Sequence, residues 1–129
     1  MGGREIPKSL QAYVEALETG DVDRMIALFE EHSHDDFVQE WPQSGERIRG
    51  KENFIEINKN YPGIPSMKLR DIKGDGDVWV AEITLDYGQG PVHGVSIFEM
   101  RDDKVARETD YFADPFEAPE WRAQWVERM

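Results

Sequence analysis

Apolar residues recur at helical spacing through the first half of the chain and at every second position through the second half. Leu10, Tyr13, Val14 and Leu17 stand at i, i+3, i+4 and i+7, one face of a helix. Ser9 precedes this stripe as a candidate cap and Gly20 follows it as a candidate stop. Asp21 is placed to cap a second helix, on which Val22, Met25, Ile26 and Phe29 repeat the spacing. The run His32-Ser-His-Asp-Asp interrupts the pattern; 36–41 reads as a strand, and Pro42 to Gly50 as a turn-rich loop. Phe54, Ile57 and Tyr61 predict a short third helix, closed by Asn60 and Pro62. From Ser66 the period changes to two, which predicts strands near 66–73, 77–87, 91–101 and 104–112. Gly74-Asp-Gly, Gly88-Gln-Gly and Asp102-Asp103 supply the turns between them. The tail, Pro119 to Met129, reads as a short helix with Trp121 and Trp125 at i, i+4.

Helices segregated from an antiparallel meander define an α+β fold. A long curved, mixed or antiparallel sheet folded against three helices in the N-terminal half forms a cone. Side chains cannot fill the centre of such a cone everywhere, so a pocket is expected. No repeat or linker divides the chain, and residues 1–129 are expected to form one domain.

Composition removes several function classes. With 15 basic and 27 acidic residues the net charge is −12. The charge is even: residues 1–64 carry 7 basic and 13 acidic groups, residues 65–129 carry 8 and 14. Such a chain repels nucleic acid and anionic membranes, which need Lys/Arg footprints. The absence of Cys excludes a disulfide scaffold, a thiolate nucleophile and Cys-based metal sites. No apolar run approaches the ~20 residues that span a bilayer. The start, Met1 to Pro7, has no apolar signal segment. Gly2 lacks the Ser or Thr at position 6 that myristoylation favours, because Ile6 stands there. The expected location is the cytoplasm. His32 and His34 at i, i+2 share no helical face, so no metal site is expected, and no cofactor motif is present.

Three stretches carry a family resemblance: Leu17-Glu-Thr-Gly-Asp, Glu40-Trp-Pro-Gln-Ser-Gly-Glu-Arg-Ile-Arg-Gly, and Asp110-Tyr-Phe-Ala-Asp-Pro-Phe. With the element order, they make the chain resemble the nuclear transport factor 2-like superfamily. The likeness is nearest to its SnoaL-like members, relatives of polyketide cyclases and ketosteroid isomerases. The resemblance implies a cystatin-like, nuclear transport factor 2-like α+β barrel and a homodimer formed through the sheet. It places Tyr13 where ketosteroid isomerases carry their oxyanion-hole Tyr. Their general base falls on Trp41 and their second oxyanion acid near Ile97, neither of which can do that chemistry. Asp110 matches the acid/base Asp of SnoaL-like cyclases. The Asp-Arg-Asp set of limonene-type epoxide hydrolases has no counterpart. Because this fold hosts many activities, function must be argued from the site.

Alternation puts Glu108, Asp110 and Phe112 on one face of the last strand. A carboxylate on an inward face among aromatics is desolvated, which suits general-acid work. His93 shares parity with Val95 and Ile97; if that face is the inner one, His93 becomes an acid/base partner of Asp110 from the neighbouring strand. Gln39 and Glu40 beside Trp41 have opposite parity, so only one of them can share the pocket with it. Asp110, His93 and Tyr13 are the catalytic candidates. Trp41, Phe54, Tyr61, Trp79, Glu108 and Phe112 are the ligand-binding candidates, with ordinary core packing as the competing role for the aromatics. Trp121 and Trp125 either close the pocket or pack across a dimer.

Two function classes stand on these residues. One is a cofactor-independent isomerase, cyclase or dehydratase-like enzyme acting on a small apolar or polycyclic oxygenated molecule through Asp110. The other is a non-catalytic ligand-binding or protein-interaction module of the same fold.

Overall fold

A computed structural model describes residues 5–63 and 65–129. Gly2 and the first residues of the predicted signal-free start lie outside the described residues. Helix α1 spans Lys8–Thr19 and α2 spans Val22–His32. Gly20 ends α1 at φ 72°, a left-handed conformation that a Cβ disfavours. Asp21 caps α2 as predicted, its Oδ1 accepting the Arg24 N–H at 3.1 Å. Ser9 does not cap α1. The helix starts earlier, after Pro7, whose carbonyl accepts the N–H groups of Leu10 and Gln11, and Ser9 is buried inside it.

Strand β1 runs Ser33–Trp41 and so contains most of the polar run that reads as a break. A register shift between Ser33 and Val38 explains it: the irregularity leaves Asp35 and Asp36 exposed within the strand. Strand β2, Glu46–Arg49, lies inside the predicted loop. It has one buried residue, Ile48, among three charged ones, too few to show a period. Helix α3 is Lys51–Lys59, followed by β3 Ser66–Asp75, β4 Val78–Asp86, β5 Pro91–Arg101 and β6 Lys104–Ala113. The β5–β6 turn uses Asp102 and Asp103 at φ 53° and 62°, the pair of positive φ values that a tight twisted hairpin demands. A 3₁₀ helix, Glu120–Trp125, is the last element and buries no residue. No helix among the described residues is long and apolar enough to cross a membrane.

The six strands form one mixed sheet in the order β2-β1-β6-β5-β4-β3. Only the β1–β6 pair is parallel. The sheet is open, with β2 and β3 as edges, so the expected barrel is an unclosed one. Helices α1 and α3 pack on one face of this sheet.

Under the helices, aromatic rings close one part of the interior. Phe29 stacks on Phe54 with ring centroids 3.6 Å apart, and Phe37 meets Phe29 edge-on at 4.6 Å. Tyr13 meets the edge of Phe98 at 5.3 Å. Each buried Phe contributes about 1.5–3 kcal/mol through the apolar area it removes from water. Beside this packed cluster the interior is not filled, and there the site lies.

Candidate active site

The unfilled region is a pocket of about 220 Å³. All three helices and all six strands contribute to its wall. Most of the wall is apolar: Leu17, Met25, Ile48, Phe54, Met67 and Phe112 are among its residues. Gly94 helps shape it. A Cβ there would stand 2.6 Å from Leu85 Cδ1 and 2.8 Å from Ile83 Cγ1, so only glycine lets these two wall residues lie across β5.

One part of the pocket is polar, and β6 provides its centre. Alternation along β6 turns Glu108 and Asp110 inward, 4% and 3% exposed. Asp110 accepts three hydrogen bonds. Ser96 Oγ, directly across on β5, donates to Oδ1 at 2.7 Å. Gln39 Nε2 and Trp41 Nε1, from β1, donate to Oδ2 at 2.5 Å and 3.2 Å. An ionised carboxylate is acceptor-only, and this donor set fits that form at Asp110. The Tyr13 hydroxyl, from α1, donates to Glu108 Oε1, and Gln39 Nε2 also reaches Glu108 Oε2 at 3.3 Å. One amide thus bridges both carboxyls. Its own Oε1 is buried without a partner, and turning the amide over would set that oxygen against two carboxyls.

Burial pushes the Glu108 carboxyl well above its ordinary range, because a charge there has lost its water. The charge of Asp110 and a hydrogen bond with it push the same way, and the Tyr13 hydroxyl pulls back. Glu108 therefore holds a proton where an exposed glutamate would not. The Tyr13 phenol is also raised well above its usual value, first by burial and then by Glu108. The result is two buried carboxyls side by side at the polar part of an apolar pocket, Glu108 holding its proton more firmly than an exposed glutamate would. Such a pair can accept a proton at one oxygen and return one from another.

The pocket wall also includes Ile57, Asn58, Tyr61 and Tyr87. Tyr61 and Tyr87 are partly exposed and their hydroxyls lie 3.4 Å apart, which marks them as the rim. Burial, then the Tyr61 hydroxyl, pushes the Tyr87 phenol up to about 12.

Over residues 10–108 the sequence matches the model of the SnoaL-like domain. The chain belongs to the SnoaL-like family. No curated protein matches it in sequence. Among solved structures, a nuclear transport factor 2-like protein of unknown function from Burkholderia xenovorans is 41% identical, with a TM-score of 0.83. That match covers 95% of this chain and 93% of the other. A candidate ketosteroid isomerase from Kribbella flavida is 27% identical at a TM-score of 0.80, covering 95% and 88%. An LEH-like epoxide hydrolase of M. tuberculosis is 26% identical at a TM-score of 0.61, covering 82% and 80%. The fold of this SnoaL-like chain is accordingly the nuclear transport factor 2-like one, with ketosteroid isomerase and polyketide cyclase structures among its neighbours.

The structure brings Tyr13, Trp41, Phe54, Tyr61, Glu108, Asp110 and Phe112 to this SnoaL-like pocket. It does not bring His93 there. His93 is exposed and pairs with Thr84 and Ala113; the residue across from Asp110 is Ser96. The inward residues of β5 are Gly94, Ser96, Phe98 and Met100, opposite in parity to the Val95 and Ile97 face. Trp79 is likewise outside the pocket. It is buried at the end of the β3–β4 hairpin, its indole N–H donating to the Gly76 carbonyl at 2.9 Å. Trp121 and Trp125 do not close the pocket; they stand 74% and 72% exposed.

Gln39 and Ser96 are the site residues that sequence reasoning passed over as candidates. Gln39 had a usable signal, its parity with Phe37 and Trp41. Ser96 had a weaker one, its parity with Phe98 and Met100.

Proposed function

We propose that the protein is a cofactor-independent enzyme doing acid/base chemistry on a small, largely apolar, oxygenated molecule. The reaction class is isomerase, cyclase or dehydratase. The observation that carries this reading is the buried Glu108–Asp110 pair, bridged by the Gln39 amide at the polar part of an apolar pocket. Asp110 takes a proton from the substrate and Glu108 supplies one, with Tyr13 hydrogen-bonded to Glu108 to steady the exchange. Trp41 and Gln39 orient the Asp110 carboxylate and so set its attack direction.

Other family chemistries fit less well. No Arg lines the pocket among the described residues, so an Asp-Arg-Asp epoxide hydrolysis has no cation to use. The isomerase-type base position holds Trp41, whose indole can only donate. We also propose, from the family resemblance, a cytoplasmic homodimer associated through the sheet. Sedimentation that finds only monomer overturns the dimer.

The test is turnover of a panel of lipophilic hydroxy and keto compounds followed by mass spectrometry. Wild type converts at least one; Asp110→Asn and Glu108→Gln each lower that rate by about 10²–10⁴, the usual contribution of a positioned acid or base. Unchanged turnover in Asp110→Asn removes the proposal. Saturable binding with no product from any compound favours the non-catalytic binding module.

A further inference from the structure

The pocket has two polar ends with an apolar wall between them. The deep end is the Glu108–Asp110 pair with Gln39 and Ser96. It offers donor hydrogens and lone pairs together, so it receives a hydroxyl or a carbonyl alike. The second end lies at the mouth, and the acid/base chemistry makes no use of it. Helix α3 supplies Asn58, and the turn that closes the helix supplies Tyr61. The Tyr61 N–H reaches the Asn58 carbonyl at 3.5 Å, and this i, i+3 spacing keeps both side chains on one face. Tyr87 follows the end of β4, and its hydroxyl meets that of Tyr61 at 3.4 Å. All three line the pocket.

Strand register sets the separation of the two ends. Asp110 lies across from Ser96, and Ser96 across from Ala81 on β4. Leu85 is four positions further along β4, roughly 13 Å at the usual strand rise, and Tyr87 lies beyond it. Ile83, Leu85 and Phe112 wall the pocket over this stretch, and no side chain among them can form a hydrogen bond.

Hydrogen-bonding capacity at the mouth is unspent. The two phenols hold two hydrogens, and the contact between them uses one. Burial, then the Tyr61 hydroxyl, pushes the Tyr87 phenol up to about 12, so it keeps its hydrogen at neutral pH. Asn58 gives one amide hydrogen to the Phe54 carbonyl at 2.8 Å; its other hydrogen and Oδ1 have no partner among the described residues. No Lys, Arg or His lines the pocket among the described residues, so a neutral group suits this end and an anion does not. An apolar cavity of about 150 Å³ holds benzene. The pocket, at about 220 Å³, holds one ring with substituents that extend toward both polar ends.

We propose that the substrate carries a second, neutral oxygen function, a carbonyl or a hydroxyl, at the end away from its reacting group, and that Asn58, Tyr61 and Tyr87 hold it. The inference rests on the acid/base reading for which end reacts. It narrows the substrate class to single-ring lipophilic molecules oxygenated at both ends.

The experiment uses three probes of nearly equal shape: para-acetylbenzyl alcohol, para-isopropylbenzyl alcohol and para-carboxybenzyl alcohol. Each is titrated into the full chain at pH 7 and followed by NMR shifts of backbone amides and of the Asn58 side-chain amide. The acetyl compound binds about tenfold tighter than the isopropyl compound, as one or two net hydrogen bonds supply, although it is the less lipophilic. It leads the carboxylate by a similar factor, and it alone shifts the Asn58 side-chain amide. Asn58→Leu, and Tyr61→Phe combined with Tyr87→Phe, reduce its lead to about threefold or less; a loss in only one of these variants assigns the oxygen to that group. An isopropyl compound or a carboxylate that binds wild type as tightly as the acetyl compound overturns the inference, and so does an absence of binding by all three. A lead unchanged in both folded variants also overturns it. If neither variant folds, the wild-type order and the Asn58 signal decide. The acetyl preference without turnover of any compound removes the acid/base reading and leaves this inference; turnover without the preference does the reverse.

Discussion

Two buried clusters lie side by side under the helices, and they are built on opposite terms. Phe29, Phe37 and Phe54 fill their volume with stacked and edge-on rings and contain no polar atom beyond the backbone. Tyr13, Gln39, Ser96, Glu108 and Asp110 are almost as buried, yet hydrogen bonds between side chains tie them together, with only the Tyr13 ring also packed against Phe29 and Phe98. The first cluster stabilises the fold by removing apolar area from water. The second takes two carboxyls out of water and offsets that cost only through a fully engaged donor set. A fold does not need such a network for stability, since apolar side chains of similar volume serve as well. Its presence beside a pocket is what the proposed acid/base function rests on.

This contrast can be broken most forcefully in the aromatic cluster. Phe29→Ala empties the centre of the stack and lowers unfolding stability by about 3–5 kcal/mol, measured by urea denaturation. The pocket wall responds less. Gly94→Ala forces Ile83 and Leu85 off β5 and costs about 1–3 kcal/mol through overpacking. It also narrows the pocket, so turnover of any compound that wild type converts falls, read by mass spectrometry.

The polar cluster shows itself in pH dependence instead. In the unfolded chain Glu108 ionises near 4.5, and in the folded chain it ionises well above that. Between the two values the folded state holds a proton that the unfolded state has lost. Stability therefore falls as pH rises through that window, by at most about 1.4 kcal/mol per pH unit for one proton. Glu108→Gln removes that slope, and denaturation midpoints compared at pH 5 and pH 8 check it. The smallest effect belongs to His93. It is exposed and away from the pocket, so His93→Ala shifts stability by no more than about 0.5 kcal/mol. The same variant leaves turnover of any compound that wild type converts at its wild-type rate, read by mass spectrometry.

Much of the site was legible because strand alternation is strict. Glu108, Asp110 and Phe112 could be grouped on one face of β6 before any coordinates, and Gln39 could be grouped with Trp41 on β1. The same rule misplaced His93, because β5 offers two plausible faces. Val95 and Ile97 look as apolar as Phe98 and Met100, and a one-residue change of parity exchanges every side chain between faces. Its pairing with β6, Ser96 across from Asp110, fixes the choice. Trp79 was ambiguous for a related reason: a large inward ring serves core and pocket alike, and its place along the strand decides which. β2 was missed because a four-residue edge strand with one buried side chain has no period to detect.

Short stretches of the sequence set the order of the three helices and of every strand but β2, the stop at Gly20, the cap at Asp21, the turn at Asp102-Asp103 and the inward face of β6. These follow from local rules: periodicity, capping and the φ values a residue tolerates. The tertiary structure alone decided that the sheet stays open and that Ser96 rather than His93 faces Asp110. It also decided that Gln39 bridges two carboxyls and that Glu108 keeps its proton. Those outcomes depend on register between strands far apart in the chain and on exclusion of water, and neither is written in any short stretch of residues.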